Sequence, residues 1–220
     1  MFRNRVEAGI KLAEALKNYD NQPGIVIAIP RGGVVVGYEV ARGLHLPLDI
    51  IIPRKVGAPH QPEVAIGAVT QDGTALFNEG LMNRLDLSVA EMEPEVEQVV
   101  KEIKRRMMAY RGTSELPELT GKDVILVDDG IATGATVLAA LKSIKNAGCR
   151  KIILAVPVAP PDVIRVLAEE VDELVCLLSE ESFYAVGQFY RDFNQTDDEE
   201  VINLLNESRS LCCPCAQQKI

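Results

Sequence analysis

Five short runs of aliphatic residues, marked by Ile25, Leu48, Val124, Ile152 and Leu174, recur along the chain with helical patterns between them. Each run is apolar at successive positions rather than alternate ones. That pattern suits a strand covered on both faces, as in a parallel sheet. Strands are expected at residues 24–29, 48–52, 124–127, 151–156 and 171–178. Residues 4–19 set Val6, Ile10 and Ala13 at helical spacing, and helices are also expected at 34–44, after 136, at 161–170 and at 196–205. Strands alternating with helices predict an α/β fold: a doubly wound, mainly parallel five-stranded sheet with helices on both faces. Two further features interrupt the alternation. Residues 65–70 and 74–78 alternate around Gln71, Asp72 and Gly73, which predicts a β-hairpin. Residues 88–111 form a long charged helix, with Ser88 and Glu91 spaced as a capping box, and Pro94 either starts this helix near Glu93 or kinks it.

Two of the strands run directly into glycine-rich turns that open helices. The first leads into Pro30, Arg31, Gly32 and Gly33; the third leads into Asp128, Asp129, Gly130 and a small-residue loop containing Ala132, Thr133, Gly134, Ala135 and Thr136. Open α/β sheets bind ligands at the carboxyl ends of their strands, and a small-residue loop before a helix presents free N–H groups to an anion. Adjacent aspartates at such an end repel each other unless a cation or hydroxyl groups lie between them. A generic tight turn remains the alternative for both loops. Residues 54–64, which begin with Arg54 and Lys55 and hold two prolines, are too elaborate for a minimal connection and predict a lid.

The run VILVDDGIATGAT at residues 124–136 resembles the 13-residue phosphoribosyl-pyrophosphate (PRPP) motif of the type I phosphoribosyltransferases. This resemblance implies transfer of a 5-phosphoribosyl group from PRPP to a nitrogen nucleophile, with release of pyrophosphate and with Mg²⁺ as cofactor. Asp128 and Asp129 would then hold the ribose hydroxyls and help place the metal, and residues 132–136 would bind the 5-phosphate. Arg31, Gly32 and Gly33 would face the pyrophosphate, in a turn where the family often carries a non-proline cis peptide, here at Pro30–Arg31. Arg54 and Lys55 would close over the leaving group. The hypoxanthine-guanine branch has an aspartate where this chain has Ala132, so the resemblance disfavours a 6-oxopurine acceptor. A PRPP-binding regulator without turnover is the competing reading.

Composition narrows the remaining classes. The 220 residues carry a formal net charge of −9, which disfavours a nucleic-acid partner. No run approaches the roughly 18 apolar residues of a membrane span, and the first residues do not form a secretory signal, so no membrane partner and a cytoplasmic location are expected. The expected organisation is one domain over residues 1–208, with the lid at about 54–64 and a hood at about 180–206. A homodimer is among the assemblies this reading allows. Half of the ten Phe and Tyr residues, Phe183, Tyr184, Phe189, Tyr190 and Phe193, lie in the hood, either as a satellite core or as a cover over the acceptor. Residues 209–220, with Cys212, Cys213 and Cys215, read as a flexible tail. Three thiols without a histidine do not complete a tetrahedral metal site. His60 and Glu63 read as solvated lid residues.

Overall fold

Alternate residues of the central strands face two separate cores, which is why those strands are apolar at successive positions past their first residues. The computed structural model describes residues 1–59 and 61–211. In it β1 (Gly24–Ala28), β2 (Leu48–Ile50), β6 (Asp123–Val127), β7 (Lys151–Ala159) and β8 (Glu173–Ser179) form one sheet in the order β2-β1-β6-β7-β8. All four pairings are parallel. Val26, Ala28, Ile125, Val127, Ile153 and Ala155 pack beneath α1 (Arg5–Ala15), α2 (Gly32–Leu44) and α7 (Asp198–Leu211). Ile25, Ile27, Val124, Leu126, Ile152 and Leu154 pack against α5 (Ala135–Asn146) and α6 (Pro161–Ala168). Each fully buried aliphatic side chain stabilises the fold by about 1.5–3 kcal/mol, so the two layers fix the strand order around β6.

The lid differs from the expected loop. Residues 54–58 and 61–64 belong to a second, antiparallel sheet made of β3 (Arg54–Ala58), β4 (Gln61–Val69) and β5 (Ala75–Phe77). Val56, Ala58, Ile66 and Val69 are buried in the main core. Prolines on either side and small residues on the outer face obscure their alternation in the sequence. The hairpin expected around residues 71–73 is present as β4 and β5. His60 lies outside the described residues, and Glu63 is exposed.

Several boundaries also move. Helix α2 starts at Gly32, so both glycines sit in its first turn. Strand β7 continues through Pro157 to Ala159, because its pairing with β6 ends at Ala155 and the missing proline N–H falls beyond that ladder. A short α3 (Glu79–Arg84), capped by the Asn78 side chain on the Leu81 amide, adds a helix that the apolar pattern does not predict. The Ser88–Glu91 box is formed, but it opens a 3-10 turn that leads into α4 (Glu93–Arg111), where Pro94 occupies the first turn without kinking the helix. Helix α7 extends to Leu211, past the helix end expected at residue 205 and the domain end expected at residue 208, and residues 212–220, including the three-cysteine cluster, lie outside the described residues. Among the described residues no helix is long and apolar enough to cross a membrane.

The hood is fastened to the start of the chain. The Phe2 amide donates to the Phe189 carbonyl at 2.7 Å, the Arg191 amide to the Phe2 carbonyl at 2.9 Å and the Asp192 amide to the Arg3 carbonyl at 2.9 Å. Phe2, Phe189 and Tyr190 are buried together with Val158 and Ala8. Much of the aromatic cluster is therefore a satellite core, while Tyr184 is 91% exposed.

Candidate active site

The carboxyl edge of β6 brings the acidic pair against the glycine turn that follows β1. Because β1 and β6 are adjacent and in register from Gly24↔Asp123 to Ala28↔Val127, their two loops emerge side by side. Gly33 lies over Asp128, where a Cβ would come within 2.9 Å of Asp128 Oδ1, and a Cβ on Gly32 would overlap Asp129 Oδ2. Only glycine permits this approach. The Pro30–Arg31 peptide bond is cis.

The pair is electrostatically costly as it stands. Burial, and then the neighbouring Asp129 charge, push the Asp128 carboxyl well above its ordinary range. Burial also raises Asp129, although the hydrogen bond and charge of Arg5 oppose it. The Asp129 amide donates to Asp128 Oδ1 at 2.8 Å, and Arg5 Nε donates to Asp129 Oδ2 at 2.7 Å. Among the described residues no backbone or side-chain donor meets the other oxygen of either carboxyl.

The loop after the pair ends in an open helix N-terminus. Gly134 adopts φ 78° as the N-cap of α5, and no side chain caps the first turn, so its leading N–H groups are free to meet an anion. Ala132, Thr133 and Ala135 are exposed, and Thr136 is half-buried. Lys55, on β3, lines a cavity of about 480 Å³ together with Thr133, Ala135, Leu138 and the apolar wall of β4 and β5. Lys55 thus faces the small-residue loop.

The two arginines expected at the site are engaged elsewhere. Arg54 forms an ion pair with Glu102 on α4, and the Arg31 guanidinium lies 3.6 Å from Asp198 at the start of α7. The structure therefore unites Asp128, Asp129, Gly32 and Gly33, and separately Lys55, Thr133 and Ala135, while Arg54 and Arg31 turn toward helices α4 and α7.

Two residues join the site that the pattern along the chain does not single out for it. Arg5 reaches Asp129 from the first turn of α1, and the Tyr190 hydroxyl, from the hood, donates to the Asp129 carbonyl oxygen at 2.6 Å. Burial, with the nearby Asp129 charge, raises the Tyr190 hydroxyl far above its usual range and keeps it a donor. Arg5 belongs to an ordinary amphipathic helix, and no local signal marks it.

Comparison with known proteins agrees with this geometry. The family model "Phosphoribosyl transferase domain" matches residues 3–194. A Mycobacterium tuberculosis H37Rv protein named "Putative phosphoribosyl transferase Rv0571c" is 40% identical over 208 residues, which are 94% of this chain and 47% of that protein; the chain spans about half the length of the curated relatives it matches. The crystal structure of TT1426 from Thermus thermophilus is 40% identical and superimposes with a TM-score of 0.80, covering 94% of this chain and 98% of that one. The chain belongs to the phosphoribosyl transferase domain family.

Proposed function

We propose that this domain transfers the 5-phosphoribosyl group of PRPP to a nitrogen nucleophile with release of pyrophosphate, the acceptor being a base or other amine. The observation that carries the reading is the contact of the half-buried Asp128–Asp129 pair with the Gly32–Gly33 turn, beside an uncapped helix N-terminus. In this reading the free oxygens of the two carboxyls accept from ribose hydroxyls, which relieves the repulsion between them. Amide groups of residues 132–136 hold the 5-phosphate, with the Thr133 and Thr136 hydroxyls beside them. Gly32 and Gly33 admit the pyrophosphate close to the backbone, and Arg31 exchanges Asp198 for it.

Mg²⁺ is part of the proposal. Asp128 and Asp129 are the residues that would hold it, and it supplies charge neutralisation on the leaving group. Among the described residues no group of three or more His, Cys, Asp and Glu side chains could hold a metal. Two carboxylates fit a cation that takes its remaining oxygens from a phosphorylated ligand and water. Lys55 neutralises phosphate charge from β3, and the β3–β4 hairpin excludes water from the developing oxocarbenium-like centre. The proposal retains a cytoplasmic location and, in keeping with the −9 charge, no nucleic-acid partner.

A regulator that binds PRPP without turnover is the second reading, favoured by the engagement of Arg54 with Glu102 rather than with the site. Incubation with PRPP, Mg²⁺ and a panel of bases, with pyrophosphate release as the signal, separates the two. Release with at least one acceptor is the expected result. Saturable PRPP binding without release for any base selects the regulator. No PRPP binding, with or without Mg²⁺, ends both.

A further inference from the structure

Arg5 is restrained more closely than neutralising one carboxylate requires. Its side chain is only 12% exposed. Nε donates to Asp129 Oδ2 at 2.7 Å, a terminal nitrogen donates to the Asn194 carbonyl at 2.7 Å, and the guanidinium carbon stands 3.8 Å from the centre of the Phe193 ring. Phe193 is itself stacked on Tyr190, with ring centres 5.1 Å apart, and the Tyr190 hydroxyl bonds the Asp129 carbonyl. The guanidinium plane, its two donor directions and the backbone of its acceptor are thus fixed by one connected group of side chains from α1 and the hood. On the other side, Asp129 Oδ2 rests against the Gly32 Cα, where no side chain could fit.

A buried ion pair is a weak source of stability, since desolvation offsets most of the attraction. A planar, forked and stacked cation is, however, well suited to holding a carboxyl group in one orientation, which a lysine does less well. We propose that Arg5 is a positioning residue of the donor site: it pins Asp129 through Oδ2 so that the remaining oxygen is presented to a ribose hydroxyl of PRPP. The inference rests on the transferase reading given above. It gives the hood a part in donor recognition, because Phe193 and Asn194 hold the arginine that holds Asp129.

The test is calorimetric titration of the full chain with PRPP and Mg²⁺, alongside thermal unfolding of each variant. Arg5→Gln is expected to weaken donor binding by about tenfold or more, as for loss of a charge-assisted hydrogen bond, while remaining folded. Arg5→Lys retains charge and one donor, and recovers part of the affinity. Phe193→Leu keeps the charge and removes the stacking surface, and is expected to weaken binding by about two- to fivefold, as for loss of a cation–π contact. A role confined to stability would instead lower the melting temperature and leave the affinity of the folded protein unchanged. Wild-type or tighter affinity in Arg5→Gln overturns the proposal; if that variant does not fold, unchanged affinity in Phe193→Leu does so. A wild-type protein that binds no donor overturns the transferase reading, and the role of Arg5 with it, whereas donor binding that ignores Arg5 overturns only the second.

Discussion

Strand β6 begins with one aspartate and is followed directly by another, and the two are treated in opposite ways. At its start, Asp123 receives both donors of a bidentate Arg150, at 2.8 and 2.9 Å, and that hydrogen-bonded guanidinium holds its carboxyl below the ordinary value of 3.8. At its end, Asp128 has a like charge for a neighbour, and burial lifts its carboxyl well above the same value. Nearby, the amino end of the sheet adds a second closed group in which Lys151 donates to the Tyr19 hydroxyl and to Glu173. One edge has its charges paired within the fold. The other keeps two carboxyls under-compensated, which is how a binding edge is distinguished from a structural one.

The largest test of this contrast is to remove the charge where it is uncompensated. Asp128→Asn combined with Asp129→Asn is expected to weaken PRPP binding by about 100-fold or more, as when a site built for hydroxyl groups loses its acceptors, with circular dichroism showing a retained fold; unchanged affinity in calorimetry would refute the role given to the pair. Next in size is Gly32→Ala, whose Cβ overlaps Asp129 Oδ2 and crowds Arg5 Nε. A cost of about 1–3 kcal/mol in urea unfolding is expected for such overpacking.

Asp128→Asn alone should stabilise the ligand-free protein at pH 7. A folded-state pKa raised above 3.8 means that the contribution of Asp128 to stability is full below that pH and lost as pH rises. The gain from Asn should therefore disappear near pH 4 in thermal melts, and a gain that grows on acidification would contradict the assignment. Tyr190→Phe removes the bond to the Asp129 carbonyl and should cost about 0.5–1.5 kcal/mol, read from the same melts. The smallest effect belongs to the paired end. Asp123→Asn should cost about 0.5–1 kcal/mol at pH 7, discounted because Arg150 is largely exposed. With its folded pKa lowered, the Asp123 contribution is present above pH 3.8 and lost as pH falls through the folded value. The wild-type advantage should thus vanish on acidification, opposite in sense to Asp128.

What can be read from the sequence follows the same division. The five strands, the helices that cover them and the junction of β6 with α5 are local patterns, set by continuous apolar runs and by glycine at Gly134, and apart from their end points they lie where those patterns predict. The partners of charged side chains are not local. Arg5 meets Asp129 across 124 residues, and nothing in an amphipathic helix marks its first-turn arginine for that contact. Arg54 looks free along the chain because its partner, Glu102, lies on a helix whose face is set only after β3 packs against it. The lid looks like a loop because prolines and glycine hide the two-residue period of Lys55, Val56, Gly57 and Ala58.

The pairing of Phe2 with Tyr190 bears on the order in which the molecule comes together. Every strand of the parallel sheet ends by Ser179, so the sheet, with the acidic pair at its edge, is complete in sequence before the hood begins. The partners of Phe2 and Arg3 lie in the hood. Closing so long a loop adds little entropy, only about 0.6 kcal/mol for each doubling of its length, but contacts this distant in sequence form slowly. The hood contacts of Arg5, through Asn194 and Phe193, thus join the two ends of the described chain across the acidic pair.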